Sequence, residues 1–191
     1  MKTLPLLILL GAATVLGCDG DSKPAPNKEP AAQASKPDAP SPPDAAAAGL
    51  SDEARTGIGI ALDDYEDIRA KLASDDLASV SGAALKKSAE AVAAQAPEAL
   101  RGHLDALADA AGKLDGMPKD DADGLRKAFG EVSRSAVALL TAEESLRKDL
   151  HVFECPMAQG YKKWVQPGAT RENPYMGQKM LACGTDSTWA E

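Results

Sequence analysis

The sequence predicts an all-α domain, an antiparallel four-helix bundle closed by a loop-rich, aromatic- and sulfur-rich C-terminal cap. Three observations predict it. Apolar residues recur at helical spacing across residues 51–150. Breaks at Asp75 and Asp76, at Pro97, and at Gly116 with Pro118 divide that stretch into four. From residue 151 onward the composition changes, and five of the seven aromatics, two of the three cysteines and three of the five methionines fall there.

The N-terminal elements read as an address and a tether. Lys2 precedes an apolar run, Leu4 to Leu10, which continues in small residues to Val15-Leu16-Gly17-Cys18. The run is too short to span a bilayer and meets Asp19-Gly20-Asp21 at once. Two aliphatic residues and a glycine before a cysteine resemble the bacterial lipobox. The expectation is a lipoprotein signal peptide over residues 1–17 and lipidation of Cys18. That places the chain in the bacterial cell envelope, lipid-anchored to a membrane and periplasm-facing, with inner and outer membrane both open. Residues 18–50 then carry seven prolines and nine alanines, with Leu50 the one large aliphatic. Such a stretch buries too little apolar surface to offset its ordering entropy, so a disordered tether is expected.

Residues 51–191 form the predicted folded domain, with the cap at 151–191. Ser51 is placed to cap the first helix, with Asp52 and Glu53 in its first turn. Ile58, Leu62, Tyr65, Ile68 and Leu72 mark its apolar face. Asp75 or Asp76 is expected to end it and cap the next, whose stripe runs Leu77, Val80, Leu85, Ala89 and Val92. Pro97 suits the first turn of a third helix carrying Leu100, Leu104, Leu107 and Leu114. Leu125, Phe129, Val132, Leu139 and Leu146 mark a fourth. Helices of about 18 to 30 residues with short connections suit an up-down bundle. The Asp120-Asp121-Ala122-Asp123 run lacks the glycine and terminal glutamate of a calcium loop and reads as helix-start acids. Gly160, Pro167, Gly168, Pro174, Gly177 and Gly184 punctuate the tail, so loops and short turns are expected there.

Composition excludes several functions. A net charge of −8 and a pI near 4.8 argue against nucleic acid as a partner. Two histidines cannot build a multi-histidine metal centre, and no phosphate loop, nucleophile elbow or nucleophile–base pair is visible. The chain is therefore not expected to be an enzyme. The remaining chemistry lies in sulfur. Cys155 and Met157 are two residues apart, and Met176, Met180 and Cys183 follow one another at spacings of four and three, so a short helical turn would bring them to one face. His151 lies four residues before Cys155. Thiolates and thioethers select copper(I) or silver(I) over hard cations. An exported chain also meets an oxidising compartment, where Cys155 and Cys183 suit a disulfide and the methionines suit a small core. Both readings stay open, and they are compatible, since thioethers need no reduction to hold Cu(I).

Four tail elements in order carry a resemblance. They are His151-Val152-Phe153-Glu154-Cys155-Pro156-Met157-Ala158, Trp164-Val165-Gln166, Asn173-Pro174-Tyr175-Met176-Gly177 and Met180-Leu181-Ala182-Cys183-Gly184. Together they resemble a domain of unknown function found at the C-terminus of copper/silver RND efflux adaptor subunits and in free-standing periplasmic proteins and lipoproteins. The resemblance spans about residues 55–186. It implies copper or silver handling, with Cys155, Met157, Met180 and Cys183 as metal ligands. Met176 stands where that family more often shows an aromatic, which adds a candidate ligand, and His151 is a further one. Trp164 and Tyr175 would shield the site from water. The chain has no adaptor portion, so the implied role is to sequester the ion or hand it to metal efflux proteins. The rival expectation is a structural or protein-interaction module with a Cys155–Cys183 disulfide.

Overall fold

A computed structural model describes residues 49–190, which belong to one compact unit. The expected signal peptide, Cys18 and the tether through residue 48 lie outside the described residues. The fold is mostly helical, with a small antiparallel sheet.

Helix α1 spans Asp52–Ala73, and the Ser51 hydroxyl caps it by accepting from the Ala54 amide at 3.2 Å. Its stripe of Ile58, Ala61, Tyr65, Ile68 and Leu72 is buried. The helix ends in a Schellman motif, in which Asp76 N donates to Lys71 O at 2.9 Å and Asp75 takes the left-handed φ of 62°. Asp75 thus closes α1 and does not cap the next helix.

The second stripe splits. Leu77–Ser79 is a single 3₁₀ turn, and α2 runs only over Ala83–Ala93, 11 residues and shorter than expected. The physical reason is a close crossing at Gly82, where a Cβ would stand 1.9 Å from the Ala111 carbonyl oxygen. Asp115, at the end of the next helix, caps α2 from outside: its Oδ1 accepts from Ser81 Oγ at 2.7 Å and Gly82 N at 3.2 Å. Helix α3 spans Glu98–Asp115, with Pro97 one position before its first turn. Helix α4 spans Ala122–Ala142, and Asp121 caps it through Gly124 N at 2.9 Å, so the acidic run does open a helix. Leu146 falls beyond it in the 3₁₀ turn Glu144–Leu146. Consecutive helices pack on each other and α4 also meets α1. Leu72, Leu85, Leu104, Leu107, Leu114, Leu125 and Leu139 are fully buried in this core, each stabilising by about 2 kcal/mol.

The tail corrects the all-α expectation. Strands β1 (Leu150–Glu154), β2 (Lys163–Pro167) and β3 (Thr185–Asp186) form an antiparallel sheet in the order β2-β1-β3. Val152 pairs with Val165 and Phe153 with Trp164. The sheet packs through β2 on α4. Three hydroxyls seal the outer edge of β2. Tyr65 Oη accepts from Val165 N at 3.1 Å, while Ser133 Oγ and Tyr175 Oη donate to Lys163 O at 2.9 and 2.6 Å. Tyr65 and Ser133 also bond each other at 2.9 Å, and burial holds both tyrosine hydroxyls well above their ordinary pKa.

Candidate thiol site in the C-terminal cap

Two turns deliver the two described cysteines to one place. After β1 the chain turns through Cys155-Pro156-Met157-Ala158, with Ala158 N bonded to Cys155 O at 3.2 Å and Cys155 N to Lys162 O at 2.9 Å. Proline at the second turn position presets the needed φ. On the other side, Cys183 N donates to Met180 O at 3.0 Å, and Gly184 at φ 134° leads into β3. The register pairs Glu154 with Thr185. Extended one step, it sets Cys155 across from Gly184, beside Cys183. The β1–β3 register therefore makes the two free cysteines neighbours, and Cys155 is close enough to influence the Cys183 thiol. Cys155 is fully buried, while Cys183 is half-buried. Desolvation first, and the neighbouring Cys155 second, push the Cys183 thiol above its ordinary pKa.

Asn173 fixes the Cys183 side of this pair. It is completely buried; its Nδ2 donates to Cys183 O at 2.7 Å, and its Oδ1 accepts from Tyr175 N at 2.8 Å and Met176 N at 3.2 Å. Its own amide bonds Leu181 O at 2.7 Å. Gln166 does similar work on the other flank, accepting from Trp164 Nε1 at 2.8 Å and Glu172 N at 3.1 Å. The loop is clasped to the end of α1 and to α4. Arg69 Nη1 donates to Glu172 O at 2.6 Å, Arg126 pairs with Asp75 and bonds Pro174 O, and Gln178 N donates to Asp75 Oδ2 at 3.0 Å. Aromatic rings fill the space beneath. Trp164 lies 5.4 Å from Phe153 and 6.1 Å edge-on from Tyr175, and a Cβ on Gly184 would strike its ring at 2.8 Å.

The other predicted ligands are not all at the pair: His151 lies four residues before Cys155 along extended β1, about 13 Å away along the strand. Met157 is 56% exposed and Met180 37% exposed, so both thioethers can swing. Met176 precedes the 3₁₀ turn Gly177–Met180, and it shares a small pocket of about 60 Å³ with Met157 and Tyr175. His151 is exposed at the start of β1, stacked 6.1 Å from Phe153. Trp164 and Tyr175, the expected shields, are both buried. Among the described residues, no three or more His, Cys, Asp or Glu side chains converge as a metal-holding group. The donor set of the cap is two neighbouring thiols and, elsewhere on its surface, exposed thioethers, which suits a soft, low-coordinate ion or a disulfide and offers little to a hard cation. A separate groove of about 710 Å³ opens between α1 and α2 around Gly57, Ile60, Lys87 and Val92, and contains no sulfur or imidazole.

Sequence reasoning assigned no positional role to Asn173, Gln166 or Arg126, and saw Asp75 only as a helix boundary. Only Asn173 carried a local signal, because an Asn before Pro marks an Asx turn. No family model, curated protein or solved structure matches this chain.

Proposed function

We propose that the cap binds Cu(I) or Ag(I) between Cys155 and Cys183, with Met157 and Met180 as neutral ligands and Met176 and His151 held in reserve. The observation that carries this reading is the β1–β3 register, which makes neighbours of two cysteines 28 residues apart in sequence. Two thiolates bind one low-coordinate soft monovalent ion strongly, leaving one net negative charge at the site, and buried aromatic rings lie beneath the sulfur. The tail motifs that resemble the copper/silver efflux-associated domain support the same ion class. In this reading the four helices are an antiparallel bundle serving as a scaffold. The chain is a Cys18-anchored, periplasm-facing lipoprotein that sequesters the ion or passes it to efflux machinery, and it catalyses no reaction.

Anaerobic titration of reduced protein against a coloured Cu(I) chelator tests it. One tight equivalent is expected. Cys155→Ser with Cys183→Ser should abolish it, and Met157→Ala with Met180→Ala should weaken it about tenfold, near 1.4 kcal/mol. Unchanged affinity in the double-cysteine variant refutes the reading. The same register favours a second reading, a disulfide-closed structural or protein-interaction module, and absence of any Cu(I) uptake by the reduced protein would favour it.

A further inference from the structure

The β1–β3 register makes Cys155 and Cys183 neighbours, but their surroundings differ. Cys155 is completely buried, behind the turn of residues 155–158 and against the aromatic cluster. Cys183 is half-buried, between the 3₁₀ turn Gly177–Met180 and Gly184. An incoming disulfide therefore reaches one sulfur and not the other. Backbone bonds hold both chains in place, with Cys155 N on Lys162 O and Cys183 O on Asn173 Nδ2. The partner sulfur is thus already in reach when the first one reacts.

We propose that the pair is a directional thiol–disulfide exchange site, in which Cys183 is the entry thiol for a small disulfide and Cys155 is the resolving thiol. The Cys183 thiolate attacks one sulfur of oxidised glutathione; that S–S bond breaks and one glutathione thiolate leaves, making a mixed disulfide on Cys183. Cys155 then loses its proton and attacks the Cys183 sulfur, and the second glutathione thiolate leaves. Two protein thiols are oxidised to one disulfide, and one glutathione disulfide is reduced to two thiols. Excess reduced glutathione runs both steps backward. The exchange stands without the metal reading. Where that reading holds, oxidation removes both thiolates, so metal capture and the disulfide exclude each other.

The test uses the full chain carrying Cys18→Ser, so that only the two tail thiols remain, treated with oxidised glutathione without metal. Samples are acid-quenched over time and followed by intact mass and peptide mapping. The expected end product has lost two hydrogens and carries no glutathione. A transient adduct should appear on the Cys183 peptide, roughly tenfold more abundant than on the Cys155 peptide, following access. Adding Cys155→Ser should trap the adduct on Cys183, while adding Cys183→Ser should leave Cys155 unmodified until denaturant is added. An adduct forming first on Cys155, or a stable mixed disulfide in the chain with both thiols, overturns the proposal. Both outcomes are read without any variant at the pair, so a misfolded variant does not decide the question.

Discussion

Asn173→Ala is the substitution that most directly tests how the cap is held. The side chain is fully buried and makes three hydrogen bonds, to Cys183 O at 2.7 Å, Tyr175 N at 2.8 Å and Met176 N at 3.2 Å. Each is worth about 1 kcal/mol net, and leaving a buried amide such as that of Tyr175 without its partner adds to the loss. The expected destabilisation is about 3 kcal/mol, or roughly 10 °C in Tm for a domain of this size. Circular dichroism melts measure that loss. A local assay separates it from general weakening: alkylation of Cys183 under native conditions should accelerate, because its carbonyl anchor is gone. Asn173→Asp sharpens the comparison. It keeps acceptors for Tyr175 and Met176 but loses the Nδ2 donor, so Cys183 should be freed while the Tyr175 turn persists. A Tm change below about 3 °C, or unaltered Cys183 alkylation in Asn173→Ala, refutes the reasoning.

Three further predictions concern the helices. Gly82→Ala places a methyl 1.9 Å from the Ala111 carbonyl, and since Gly82 sits at an ordinary φ of −88° the cost is purely steric. A urea midpoint should report a loss of about 2–3 kcal/mol. Gly102→Ala, mid-helix in α3 with nothing within 4 Å, should instead gain up to about 1 kcal/mol. Asp115 accepts from Ser81 and Gly82, and the Ser81 hydroxyl first holds its carboxyl below the ordinary 3.8. A carboxyl with a depressed folded pKa stabilises fully above the ordinary value and stops doing so as pH falls through the lower folded value. Asp115→Ala should therefore cost about 1 kcal/mol near neutrality, and the gap in urea stability should close as the pH is taken below 3.8.

The helices were legible because each buries one face only, so Ile58, Leu104 or Phe129 recurs at a period the eye can follow. Strands β1 and β2 were not, because their central residues are covered on both sides. Val152 and Phe153 are both buried, as are Trp164, Val165 and Gln166, and adjacent buried residues erase the alternation that identifies a strand. The short second helix was hidden for another reason. Leu77 and Val80 continue its stripe, and only a long-range fact, the crossing of Gly82 over Ala111, sets where the helix begins. In the cap, residue type singled out Cys155 and Cys183, and the β1–β3 register makes them neighbours. The clasp of Asp75, Arg126 and Gln178 joins residues too far apart in sequence for spacing to reveal.

The row of hydroxyls along β2 has a consequence for crowding at high protein concentration. A bare strand rim is a template on which a neighbouring chain can polymerise, and many copies at high concentration would raise that hazard. Here Tyr65, Ser133 and Tyr175 already occupy the positions an intruding backbone would need. Neighbours can therefore be packed densely without zipping into fibrils along this rim.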